Sequence, residues 1–340
     1  ARLVFSGSAF TQDFQYFLQF DGRSTSGDDI RLLDYYLRYD WGHHRLGLER
    51  GRFGILTGRY KVPFNLARWL SGREFEFTDR SVSSIFFDVN RSLASSFYGK
   101  LDWFGPAIDW EASIFNGLVT GGAETGSSGT LDNNFAISVR AATQLFGDWG
   151  EGELADFDYH EQLVARLGCG FALSEIARDG QTEFDGLRVV DSGTRLSSLL
   201  PDSVEQYKAS LFAVDASMKY RGLSTTLEYY FRIIDDFQGA SIGELFDHGF
   251  WFQMGYFVIP EKLQLLTRWS RVQGDSGTLG ANDQSAEEIA GAFAWYFRRN
   301  HAKFVGDFTF LDGAPINSSV LDISQGDIGM LVRGQVQFSF

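Results

Sequence analysis

The sequence has little of what a helical membrane protein, a disulfide-bonded domain or a nucleic-acid-binding protein needs. No apolar run approaches the roughly 18 residues of a spanning helix. A single cysteine, Cys169, allows no disulfide within the chain. Only 5 prolines occur in 340 residues, which suits strands whose ladders need every N–H. The formal net charge is −14, with 30 Lys and Arg against 44 Asp and Glu, so nucleic acid is not an expected partner.

Several signatures of enzyme and metal sites are also missing. There is no P-loop, no G-x-G-x-x-G and no H-E-x-x-H. The five histidines show no metal-ligand spacing with Cys, His or acidic residues. We therefore predict no enzyme activity, no cofactor and no metal site. An outer-membrane hydrolase is the last-ranked alternative, since Ser and His are both available.

Aromatic residues are abundant, and they alternate with polar residues along many segments. Aromatics make up 16% of the chain, and Phe alone counts 33. In the last fifteen residues, Gly326–Phe340, the apolar side chains fall mostly on one face of an extended chain and polar ones on the other. A segment with one apolar and one polar face, ending on a terminal aromatic, is typical of the closing strand of an outer-membrane barrel.

The connections between the alternating segments differ in length. Turns such as Arg221-Gly222 are short, whereas long connections rich in Gly, Ser, Asp and Asn span residues 22–29, 61–93, 117–133, 172–206, 233–247, 273–286 and 311–325. Short turns on one rim and long loops on the other indicate an all-β fold, a transmembrane antiparallel β-barrel in the bacterial outer membrane. We expect residues 1–340 to form a single domain, with 172–206 as a long extracellular loop.

The strand number is predicted from parity. We count about fifteen alternating segments, but bacterial barrels of one chain carry an even number. We therefore expect about sixteen strands, one of them upstream of Ala1 and paired with Gly326–Phe340. The alternative fold is a soluble β-sandwich, which would hide its aromatics inside and use shorter strands.

Three short stretches resemble the phosphate-selective porin O and P family. They are Gly58–Asn65 (G-R-Y-K-V-P-F-N), Arg73–Ser81 (R-E-F-E-F-T-D-R-S) and Ile30–Leu37 (I-R-L-L-D-Y-Y-L). The resemblance implies a sixteen-stranded outer-membrane porin, usually a homotrimer, with one loop folded inward as a constriction. Residues 61–93 are the candidate for that loop. The family's phosphate preference depends on inward arginines and a lysine cluster, and this chain departs from that pattern by its excess of acidic residues.

Charged residues of both signs are candidates for the pore. Opposed charges at a constriction set a transverse field and a size limit. The candidate constriction residues are Arg59, Lys61, Arg68, Arg73, Glu74, Glu76, Asp79, Arg80 and Arg91. The candidate lumen-lining cations are Arg38, Lys100, Arg140, Arg166, Arg232, Arg268 and Arg333. Arg59 and Lys61 are the strongest candidates for anion contacts. The alternative is a surface loop whose charges are solvated or paired.

Three functional hypotheses follow from these observations. The first is a porin that lets small hydrophilic solutes or ions diffuse passively, anions such as phosphate among them. The second is a barrel with a plugged lumen that acts as a scaffold or binds a partner; it is favoured if residues 172–206 pack inside the barrel. The third is the enzyme. Membrane lipid and lipopolysaccharide are expected partners, and acidic residues such as Glu151 and Glu153 are assigned to outer-face loops bridged by divalent cations.

Overall fold

Fifteen strands form one antiparallel sheet in the computed structural model, which describes residues 2–23, 29–102, 105–121, 129–190, 193–274, 279, 285–316, 323–324 and 326–339. Each strand pairs with its neighbours in the chain. The strands are β1 Arg2–Ala9, β2 Thr11–Arg23, β3 Asp29–Tyr39, β4 Phe53–Lys61, β5 Arg91–Leu101, β6 Ile108–Asn116, β7 Ala136–Phe146, β8 Val164–Ala177, β9 Gln206–Tyr220, β10 Leu223–Gln238, β11 Leu245–Ile259, β12 Leu263–Gly274, β13 Ser285–Arg298, β14 Ala302–Asp312 and β15 Ile328–Phe338.

The all-β prediction is confirmed, and the strand number is one lower in the described residues than the sixteen expected. β1 and β15 are the two outermost strands of this sheet. The strand expected upstream of Ala1 stays a prediction, and the terminal Phe340 lies outside the described residues. The described part of the chain contains four short α-helices: α1 Trp41–Leu46, α2 Leu66–Trp69, α3 Val82–Phe87 and α4 Gln181–Phe184. Among the helices of the described ranges, none has the length and apolar character to cross a membrane.

Hydrophobic alternation sets which face of the sheet points outward. In β15, Ile328, Met330 and Val332 are each about 70% exposed and lie on one face. Cys169 in β8 is also exposed and lies on the same outer surface. The tight turn at Arg221-Gly222 is also confirmed; both residues have positive φ, 48° and 80°, as a two-residue hairpin with matching twist requires.

The sheet curls around the connection between β4 and β5. β4 ends at Lys61 and β5 begins at Arg91, so the connection comprises residues 62–90, which we call the inner loop. At one end of the inner loop, Arg140 of β7 donates to the carbonyl oxygen of Phe64 at 3.4 Å. Further along, Thr78 donates to Asp307 of β14. A loop that connects β4 and β5 thus contacts strands as far along the sheet as β7 and β14, so the sheet curls around it.

The two rims differ as predicted, except that two connections on the short-turn rim, residues 40–52 and 147–163, are long. The turns at 221–222, 260–262 and 299–301 are short and lie on the same rim. The connection between β7 and β8, residues 147–163, lies on that short-turn rim as well, because β7 runs in the same direction as β9. Glu151 and Glu153 are therefore not on the rim of the long loops, and the expectation that they face the outer surface was wrong.

Candidate constriction and solute pathway

Carboxylates of the barrel wall hold the backbone of the inner loop. Glu228 of β10 accepts from the N–H groups of Leu66 and Ala67 at 2.5 and 3.0 Å, at the start of α2. Glu228 also accepts from Trp251 Nε1 at 3.0 Å and from the Tyr230 hydroxyl at 2.5 Å. The first N–H groups of a helix have no partner within it, so a wall carboxylate satisfies donors that would otherwise be buried without a partner.

The same arrangement recurs along the rest of the loop. Glu288 of β13 accepts from Val82 N at 2.7 Å, at the start of α3. Asp307 of β14 accepts from the N–H and the hydroxyl of Thr78 at 3.0 and 2.5 Å. The loop is therefore fixed to three strands through charged hydrogen bonds, each worth about 1.5–3 kcal/mol in typical proteins.

Cations of the wall hold the carbonyl groups of the same loop. Arg268 donates to Asp79 O at 2.8 Å and to Glu288 at 2.7 Å. Lys303 donates to the carbonyls of Arg73 and Phe75 at 2.7 and 2.5 Å. These cations fix the loop in place and have no free hydrogen-bonding face toward water.

The other predicted lumen-lining cations divide into buried and accessible groups. Arg140 and Arg232 are buried and paired with Asp215 and Asp247 at 2.7 and 2.5 Å. The accessible or part-accessible cations of the set, with their partners, are Arg38 over the Tyr98 ring, Lys100 at 3.8 Å from Asp109, Arg166 at 2.6 Å from Glu153, and Arg333 at 2.8 Å from Asp307.

Most charged side chains of the inner loop point toward the protein and pair with other groups there. Arg68 pairs with Asp88 at 3.0 Å, and Arg80 donates to Ala67 O at 3.0 Å. Glu76 accepts from Gln253 and Gln264 at 2.5 and 2.6 Å. Burial raises the pKa of Glu76 to about 7 and lowers the pKa of Arg80 to about 9.

Four further predicted constriction residues, Arg73, Arg91, Lys61 and Asp79, contact the protein in different ways. Arg73 is half exposed beside Glu74, and Arg91 is buried with its guanidinium on Asp34 at 2.6 and 3.1 Å. Lys61 donates to Leu70 O at 2.8 Å. Asp79 accepts from its neighbour Arg80 N at 2.7 Å.

Arg59 lies away from the lumen. The register pairs it with Tyr35 and Leu93, whose side chains face outward. Its guanidinium donates to Leu33 O at 3.0 Å and lies over the Tyr35 ring. A role for Arg59 in contacting permeating anions stays a prediction that this placement does not favour.

Two other segments fold inward against the inner loop. β8 ends at Ala177 and β9 begins at Gln206, so the connection on the long-loop rim is 178–205. Its residues Leu187, Val189 and Val190 share a buried apolar cluster with Phe86 and Phe87 of α3. The predicted long loop therefore packs inside the barrel over the inner loop, which is the arrangement expected for a plugged lumen.

From the opposite rim, residues 147–163 cover the inner loop. Glu153 N donates to Glu74 Oε2 at 3.2 Å. Lys219 of β9 donates to three carbonyls of this segment, those of Trp149, Glu151 and Gly152, at 2.6 to 3.2 Å. Sequence reasoning missed this segment, because an inward turn and an exposed turn have the same polar composition.

The three inward segments fill one side of the barrel. Inward residues of β9 and β10 such as Lys219, Glu228 and Arg232 have no exposed surface. On the other side, inward residues of β2 and β3 remain accessible: Gln15 and Arg38 are exposed, and Phe17 and Tyr36 are half-buried. Water and solute therefore have space along the wall formed by β2 and β3, whereas inward residues of β4 and β5 such as Tyr60 and Tyr98 are buried.

One motif with a catalytic association was overlooked in the sequence. Gly239–Gly243 reads G-A-S-I-G and matches the G-x-S-x-G pattern. It lies in the connection between β10 and β11 and is followed by a strand. A nucleophile elbow needs a strand-to-helix turn, so the run lacks that structural context. Within the described ranges, no group of three or more His, Cys, Asp or Glu residues is placed to hold a metal ion.

Solved structures with the same fold are outer-membrane proteins. An anion-selective porin from Comamonas acidovorans matches with a TM-score of 0.57 at 11% identity, covering 98% of this chain and 86% of that one. The outer membrane channel DcaP of Acinetobacter baumannii matches with a TM-score of 0.56 at 13% identity, covering 99% and 85%. Pseudomonas putida OprB matches with a TM-score of 0.50 at 12% identity, covering 95% and 81%. No family model and no curated protein sequence matches the chain. The similarity establishes the fold, an outer-membrane-type β-barrel.

Proposed function

We propose that the protein is a porin of the bacterial outer membrane, a single barrel domain through which small hydrophilic solutes diffuse passively. The observation that carries this proposal is the inner loop, fixed to one side of the lumen while the inward residues of β2 and β3 stay accessible. Solved proteins of this fold include a channel and an anion-selective porin, which supports the proposal.

The proposed pathway selects by size and weakly by charge. Passage needs no turnover, because pore width and lining charge decide what crosses. Most inward cations are neutralised by carboxylates or held by carbonyl groups, so the pathway carries few free positive charges. Phosphate selectivity of the kind implied by the resemblance is therefore the weaker form of the proposal, and a mixed, weakly selective lumen is the stronger one.

A second candidate function is supported by a specific observation. The packing of 178–205 and 147–163 against both sides of the inner loop would suit a plugged barrel that binds a partner. We rank it below the porin because the plugging segments leave the wall formed by β2 and β3 uncovered.

Single-channel recording in planar bilayers distinguishes the two functions. The porin predicts an open, ohmic conductance, and the reversal potential in a salt gradient gives its ion preference. Folded protein that never conducts would support the plugged barrel instead. The homotrimer implied by the resemblance is tested separately by a heat-modifiable oligomer band on a gel.

A further inference from the structure

Two half-buried aromatic side chains, Phe17 of β2 and Tyr36 of β3, form an aromatic strip on the accessible wall of the lumen. Tyr60 of β4 and Tyr98 of β5 face the same way but are buried. Phe17 and Tyr36 stack with ring centroids 4.9 Å apart and planes 9° from parallel, and Tyr36 meets Tyr60 edge-on at 5.9 Å. Phe17 and Tyr36 are half-buried, so ring surface faces the lumen. Aromatic surface left in contact with water favours a ligand that covers it.

A cation lies at the edge of this strip. The guanidinium of Arg38 lies 4.1 Å from the centre of the Tyr98 ring, and Arg38 is exposed. Gly54 makes this arrangement possible, since a Cβ there would come within 2.2 Å of the Tyr98 hydroxyl. The Tyr98 ring lies flat on the wall, and the guanidinium stacked on it keeps donors directed toward the lumen.

The acidic groups near Arg38 are mostly occupied elsewhere. Asp40 accepts from the backbone N–H groups of His43 and Gly51 at 3.1 and 2.6 Å. Asp34 is bound to Arg91. Glu111, on the neighbouring strand β6, is buried beside Tyr98 and attracts Arg38 without a direct hydrogen bond between them among the described contacts. The guanidinium therefore keeps hydrogen-bonding capacity for a carboxylate.

We infer that the aromatic strip and Arg38 form a binding site for small carboxylates that carry a flat ring, such as aromatic acids. This inference rests on the proposed porin function and names its solute class. Tyr36 and Arg38 are two residues apart on the same face of β3, about 6.6 Å along the strand. That separation suits a ring stacked on Phe17 or Tyr36 with its carboxylate on the guanidinium.

Block of the single-channel current by benzoate tests the inference, with acetate as the ringless comparison. We expect benzoate to block at a concentration about tenfold lower than acetate, and Phe17→Leu to raise the half-blocking concentration of benzoate roughly threefold to tenfold. Arg38→Gln should weaken block by both acids. Phe14→Leu, an aromatic change on the outer face of the same strand, is the matched control and should leave block unchanged.

A second measurement separates this inference from the porin proposal. Benzoate binding to the folded barrel in detergent, followed by ligand-observed NMR, needs no conduction. A channel that conducts but treats benzoate and acetate alike, with no effect of Phe17→Leu, overturns the binding site and leaves the porin intact. A barrel that does not conduct, yet binds benzoate in a manner weakened by Phe17→Leu, overturns the porin and supports the site. A folded barrel that neither conducts ions nor binds benzoate overturns both proposals.

Discussion

Glu228→Gln probes how strongly the inner loop is held in the lumen. The carboxylate receives four hydrogen bonds, including two from the backbone of α2 at Leu66 and Ala67. A glutamine side chain offers one acceptor oxygen and places an NH2 group where the second oxygen was. At least one buried backbone N–H then loses its partner, at a cost of about 1–3 kcal/mol. The ratio of released to docked loop should rise roughly 5- to 150-fold.

The expected readout is a change in single-channel behaviour. Release of the inner loop widens the pathway, so Glu228→Gln channels should spend more time in a higher-conductance state. Their melting temperature should also fall. Glu161→Gln is the control, because Glu161 is an exposed acidic residue of the 147–163 segment. If Glu228→Gln matched Glu161→Gln in conductance, current noise and melting, the carboxylate would not be holding the loop.

Two further predictions concern the same loop. Burial raises the pKa of Glu76 to about 7, so the folded state binds its proton more tightly than the unfolded chain. The free energy of unfolding should therefore fall as pH rises from about 4.5 to about 7. Glu76→Gln should flatten that fall in melting scans, and parallel curves for both proteins would contradict the prediction. In β8, a Cβ on Gly170 would come within 1.8 Å of Phe64 O. Gly170→Ala should therefore lower the free energy of unfolding by about 1–3 kcal/mol, measured by denaturant titration. The control Gly291→Ala should change it little, because a Cβ there meets nothing within 4 Å.

The barrel could be predicted from the sequence because strand alternation is a local property. The apolar face of β15 and the hairpin at Arg221-Gly222 follow from side-chain periodicity and turn geometry alone. Both were confirmed. The position of the inner loop between β4 and β5 was also expected, but that expectation came from the family resemblance and not from strand periodicity.

The roles of the charged residues could not be predicted in the same way. An inward arginine has the same sequence pattern whether it faces water or a loop, so Arg268 could not be distinguished from a pore-lining cation, and Lys303 was not among the candidates. The carbonyl partners of both cations are distant in sequence, and those of Lys303 lie more than two hundred positions away. The direction in which the Arg59 side chain points depends on strand register, which a short motif does not fix.

The central claim is that solute passes along the wall formed by β2 and β3 and not through the side filled by the inward segments. Cysteine accessibility in a Cys169→Ser background tests it most directly, since Cys169 is the native cysteine and is exposed. A cationic methanethiosulfonate reagent should reduce the single-channel current of Gln15→Cys in discrete steps and leave Gln253→Cys unchanged, because Gln15 is exposed and Gln253 is buried against Glu76. Rapid modification of Gln253→Cys with no effect at Gln15→Cys would contradict the account.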